Sequence, residues 1–139
     1  MKHVKVANNQ IYFSRNGELV KLSSCGENTI RFQGFPDGKE INEDYTLLPG
    51  EGQVEITEGD HHISMQCGTV RAELWENGKV TFYYKENKIL EEKPEMTFGM
   101  GFRRYENKGS GLWGARVTFE PNDGEHFFGL GHSWTMSLI

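Results

Sequence analysis

The chain has 139 residues, 36% of them hydrophobic and 12% aromatic, with 17 glycines, 4 prolines and a formal net charge of -5. That length suits one domain with a core of its own, and aromatics spread along the whole sequence argue against disorder. The acidic balance excludes a nucleic-acid partner: a phosphate backbone needs a concentrated positive face, and the nearest approach to one is Arg103-Arg104.

No stretch nears the roughly 20 apolar residues of a membrane helix, so no membrane partner is expected. The start, MKHVKVANNQ, has no apolar segment behind its basic residues. No signal peptide is visible there, and the expected location is cytoplasmic.

Period-two alternation recurs from the first strands onward. IYFS and ELVKL flank Arg15-Asn16-Gly17. Asn-Gly readily takes positive φ at both turn positions, so a hairpin is expected there. In NTIRFQGF, Ile30 and Phe32 share one face and Arg31 and Gln33 the other, before Pro36-Asp37-Gly38 turns the chain. In TVRAELWENGKVTFYY, Val70, Ala72 and Leu74 alternate with Arg71 and Glu73. Asn77-Gly78 then turns, and Val80, Phe82 and Tyr84 return on one face; all six apolar side chains are expected in the core.

A further turn around Glu86-Asn87-Lys88 leads to the acidic EEKPE, where Glu91-Glu92 reads as solvated loop charge, as does Glu43-Asp44 upstream. GARVTFEP points Ala115, Val117 and Phe119 inward and Arg116, Thr118 and Glu120 outward. No window of about 11 residues or more carries a 3.6-residue apolar stripe. Strands spaced about 8 to 12 residues apart, with turn signals between them, predict an antiparallel β-sandwich. No repeat or linker divides it, so residues 1 to 139 read as a single all-β domain.

Catalytic chemistry is hard to assemble from these residues. His61 and His62 are adjacent, so along a strand they point to opposite faces and cannot chelate together. Glu125, His126 and His132 lack a second cluster to complete a metal site, and no metal is expected. Cys25 and Cys67 sit in no metal-type spacing and read as two ordinary thiols in preference to one disulfide. GMGFRR and GSGLWG contain G-x-G, but neither opens a helix after a buried strand, so no dinucleotide cofactor is implied. The 20 acids cannot be paired in space from sequence, and no nucleophile motif is present, so no catalytic residue is assigned. Trp75, Trp113, Trp134, Tyr83, Tyr84 and Tyr105 could together stack on a sugar, but core or edge cover is the preferred reading of them.

Near the end, GEHFFGLGH preceded by VTFEPNDG is similar to the E-x-[FY]-[FY]-G-[LF]-G-[EQ] signature in the N-terminal domain of glycoside hydrolase family 31, the α-glucosidases and α-xylosidases. ENTIRFQGFPDGKEINEDYTLLP resembles an early strand of that domain, and HHISMQCGTVRAELWENGKVTFYYKENKILEE resembles its hairpin. The resemblance runs over about residues 1 to 135. One departure is His132, which stands where the family commonly has Glu or Gln.

The resemblance implies a galactose-mutarotase-like supersandwich, cut short at its C-terminal end. In the family this domain leads into a (β/α)8 barrel carrying an aspartate nucleophile and an aspartate acid/base, and neither lies in this chain. The implied role is therefore a non-catalytic domain, inactive alone, that packs on the barrel and shapes the entrance to its sugar site. An α-linked oligosaccharide or glycoside would be met through the parent enzyme. Phe128, His132 and Trp134 are the residues expected to face the absent barrel, and their exposure would favour self-association. The alternatives are a free-standing carbohydrate-binding β-sandwich and an interaction domain with no sugar ligand.

Overall fold

The computed structural model describes residues 1–41, 50, 52–95 and 101–125. Among them the chain forms eleven strands and no helix. The first sheet is an antiparallel meander of β1 (Val4–Ala7), β2 (Gln10–Arg15), β3 (Glu18–Ser24) and β4 (Ile30–Phe35). The second is a five-stranded meander of β5 (Glu55–Glu58), β6 (His62–Cys67), β7 (Val70–Trp75), β8 (Val80–Tyr84) and β9 (Asn87–Glu91). A separate two-stranded ribbon joins β10 (Arg103–Gly109) to β11 (Leu112–Val117).

Side-chain alternation makes this a sandwich. Ile11 and Phe13 of β2 and Val20 and Leu22 of β3 face Ile63 and Met65 of β6, Ala72 and Leu74 of β7, and Val80 of β8 in one buried cluster. Because successive side chains point to opposite faces, the core strands turn an apolar row inward and a mostly polar row outward, although Ser23, Glu73 and Thr81 of the outer rows are also buried. Phe32 and Phe82 meet edge to face across the sheets, with ring centroids 6.4 Å apart, closing the side of the core. Tyr84 departs from the expected set: it lies one residue before the β8–β9 turn and is 46% exposed, with Lys85 over its ring.

Turn chemistry fixes the register. Asn16 and Gly17 both take positive φ, 53° and 81°, giving the two-residue hairpin expected between β2 and β3. The same dipeptide behaves differently at Asn77-Gly78, where only Gly78 has positive φ (92°). There the Gly78 amide donates to the Trp75 carbonyl (2.8 Å) and the Trp75 amide to Lys79 (2.9 Å), a three-residue loop ending in a left-handed glycine. The turn expected around residues 86 to 88 falls at Lys85-Glu86, since Tyr84 pairs with Asn87.

The expected burial of Ala115 and Phe119 does not hold. Ala115 is exposed and Phe119 is 38% exposed, because the ribbon lies against the sandwich only at its base. That base continues the second sheet: Glu92 bridges to Phe119, the Lys93 amide donates to the Thr118 carbonyl (2.8 Å), and the Glu120 amide donates to Glu91 (2.9 Å).

Candidate functional site

One guanidinium ties the ribbon to both sheets. Arg103 opens β10 with its side chain under the strand, where Nε and Nη2 donate to the two carboxylate oxygens of Glu18 at 2.5 and 3.2 Å. Nη1 donates to both oxygens of Glu92 (2.8 and 2.6 Å), and Nη2 also donates to the Gly78 carbonyl (2.9 Å). Glu92, just past β9, is 1% exposed and also accepts the Val80 amide (2.8 Å). Two residues along β10, the Tyr105 hydroxyl donates to Glu18 (2.7 Å). Alternation puts Arg103 and Tyr105 on the same face of β10, so both reach the sandwich together.

This overturns one sequence expectation. Glu92 is not solvated loop charge; it is the most enclosed acid described, while its neighbour Glu91 pairs with Lys79 and Lys88 at the surface. Of the Arg103-Arg104 pair, only Arg104 reaches solvent. Burial pushes the Glu92 carboxyl above the usual range even against the pull of Arg103. Burial also opposes the charge on Arg103, but Glu18 and Glu92 outweigh it and hold the guanidinium more firmly protonated. Tyr105, enclosed and bonded to Glu18, lies above the ordinary phenol range.

A cleft of 180 Å³ opens beside the cluster, bordered by Phe13, Asn16, Pro36, Asn77 and Phe102. The groups facing it are already engaged. Glu18 is held by Arg103 and Tyr105, and every nitrogen of the Arg103 guanidinium has an acceptor. Glycoside cleavage needs one carboxyl free to give a proton and another free to attack or to activate water. Here both carboxylates close on a single arginine, so the arrangement is a clamp that positions the ribbon.

Gly34 of β4 permits that clamp. A Cβ there would fall inside the contact radius of the Tyr105 hydroxyl oxygen, so a glycine leaves the room in which that hydroxyl reaches Glu18. Gly34→Ala is expected to lower stability by about 1–3 kcal/mol, the usual cost of overpacking. Urea unfolding should show a much smaller penalty in a Tyr105→Phe background, where the clashing oxygen is gone. An equal penalty in both backgrounds would mean that the hydroxyl is not what Gly34 accommodates.

The remaining candidates are dispersed. Phe128, His132 and Trp134, expected at a domain interface, lie outside the described residues, as do His126, Glu43 and Asp44. His61 is exposed and 3.3 Å from Glu76, whereas His62 stacks on Trp75 with centroids 4.9 Å apart, so the two point apart as expected. Cys25 and Cys67 are free thiols, the second buried at the end of β6. Among the described residues no group of three or more His, Cys, Asp or Glu could hold a metal. Trp134 lies outside the described residues, and among the described ones the aromatics form no common platform: Trp75 and Tyr84 sit at opposite ends of the β7–β8 hairpin, and Trp113 is on the ribbon.

Neither a family model nor a curated protein matches this sequence. Solved structures do. The crystal structure of a GH31 alpha-xylosidase from a soil metagenome, complexed with xylose, superposes with a TM-score of 0.77 over 87% of this chain at 19% identity. The fold is shared. The likeness extends over 21% of the xylosidase chain, so this chain spans about a fifth of that protein's length.

Proposed function

We propose that this chain is the N-terminal, non-catalytic β-sandwich domain of a glycoside hydrolase of the GH31 type. Its parent would cleave α-glucosidic or α-xylosidic bonds, and this domain would pack on the catalytic barrel and shape the approach to the sugar site. The observation that carries the reading is the superposition on one segment of the GH31 alpha-xylosidase, which agrees with the order of motifs in the sequence. The engagement of Glu18 and Glu92 by one arginine supports the absence of hydrolysis by this part.

The test has two halves. The purified chain should release no product from aryl α-glucosides or α-xylosides above background, and the parent reading frame should encode a barrel after residue 139. Release that survives repurification and disappears when an acid of this chain is replaced would overturn the non-catalytic role. A frame without a barrel would overturn the family-type reading. A free-standing carbohydrate module gains no support from aromatic rings scattered over separate elements.

A further inference from the structure

We propose that the Arg104–Arg116 face of the β10–β11 ribbon is a docking surface for carboxylates on the catalytic part of the parent glycosidase. The proposal rests on the reading of this chain as one domain of a larger enzyme. Its physical basis is local. Arg104 and Arg116 stand directly opposite each other in the antiparallel register. Like charges so placed destabilise a strand pair. Among the described residues Arg116 pairs with Glu95 alone, 3.8 Å from its Nε, and Arg104 has no ion-pair partner. Lys108 is matched by Glu106 at 2.7 Å. Three cations thus meet two carboxylates, leaving a local positive excess on a chain of net charge -5.

Shape agrees with charge. Gly114 pairs with Glu106 and projects no side chain, and a shallow cleft of 190 Å³ between the two arginines is lined by Arg104, Glu106, Gly114, Ala115 and Arg116, its one carboxylate being the Glu106 that Lys108 holds. A guanidinium presents a planar fork of donors suited to a carboxylate, and two forks flanking a gap suit an acidic side chain entering between them. Among the described residues nothing covers the ribbon beyond Tyr105: Leu112, on the arginine face, is 67% exposed, and Trp113, on the opposite face, is 43% exposed. A two-stranded ribbon is marginal by itself in water. An exposed Leu112 in step with Gly114 and Arg116 on the same face suits a protein surface better than a free anion. The matched alpha-xylosidase, about five times as long as the segment shared, shows how large such a partner is in a protein of this fold.

Two measurements separate this surface from the domain reading on which it rests. In the first, the chain is titrated at low salt with the peptide acetyl-Glu-Leu-Glu-amide while the arginine Nε–Hε resonances are followed. Saturable shifts are expected at Arg104 and Arg116, fading in about 0.5 M salt as screening shortens to a few ångströms, and little change is expected at exposed Arg15. In the second, the remainder of the parent is supplied as a separate polypeptide and its affinity is measured. Arg104→Glu with Arg116→Glu should weaken association about tenfold or more, since like charge across an interface is repulsive. Lys2→Glu with Lys5→Glu, the same charge change on exposed residues at β1, should leave it within about twofold. All four positions are exposed, and matching unfolding midpoints would establish that the variants fold. Absent or indiscriminate peptide shifts, or association indifferent to the arginine reversal, would overturn the docking surface. A parent frame without a catalytic unit would overturn the domain reading, and the peptide titration would still decide the surface.

Discussion

Arg103→Met should lower the stability of this chain by about 3–5 kcal/mol, the range for removing one partner of a buried ion pair. Against a typical total of about 5–15 kcal/mol, that is a large share. The loss would come from what is left behind. Glu92, 1% exposed, would keep only the Val80 amide, and the Gly78 carbonyl would lose its donor. The deficit should depend on pH, with a definite sign. Burial already holds the Glu92 pKa above its unfolded value of 4.5 against the pull of Arg103, and without Arg103 it would rise further. A group raised in this way stabilises the fold below its unfolded pKa and loses that contribution as pH rises through the folded value. Urea unfolding should therefore show the variant's deficit largest near neutrality and smaller toward pH 5. Replacing Glu92 as well, as Glu92→Met with Arg103→Met, should restore part of the stability, because a matched apolar pair leaves no buried charge. Glu18, at the edge of the cluster, can turn its carboxylate to water. A double variant as unstable as the sum of the two singles would show that the residues do not act as a unit.

Sequence periodicity found the two sheets because burial there is a property of each strand separately. Ile63, Met65, Ala72, Leu74 and Val80 alternate with polar residues and are buried, as the pattern requires. The clamp was illegible for the opposite reason. Arg103 and Glu18 are 85 positions apart, and nothing local in FRRY or GELV distinguishes a buried ion pair from surface charge. Glu92 was misread because an acid in the run EEKPE has a solvated neighbour on either side in most folds, and only the return of β10 encloses this one. The ribbon misled in the other direction. Its alternation is genuine, yet Ala115 and Phe119 remain exposed because no described element covers them. Alternation reports which residues share a face, and burial depends on what that face meets. The proposed interface at Phe128, His132 and Trp134 rested on family resemblance and lies outside the described residues.

Phe13→Ala should cost about 3–5 kcal/mol, the range for truncating a buried aromatic. Phe13 has two roles that make it sensitive. It belongs to the cluster between the sheets, with its ring edge-on to His3 at 6.3 Å. Its far edge also supports the β7–β8 turn, since a Cβ on Gly78 would lie 3.0 Å from its Cε1 and 3.6 Å from the Arg103 Nη2. Gly78 is thus held between the aromatic ring and the guanidinium that bonds its carbonyl. Truncation would leave a cavity beside the existing cleft and loosen that turn, so the Arg103 clamp should weaken with the core. Phe13→Leu retains most of the apolar volume and should lose markedly less, about 1–2 kcal/mol. Combining Phe13→Leu with Arg103→Met tests the link. Residues that share a contact deviate from additivity by about 0.5 kcal/mol or more, whereas independent sites add within a few tenths. Midpoints from urea unfolding, at unchanged slope, would measure each step. Strict additivity would separate the core from the clamp and leave Gly78 as a turn residue alone.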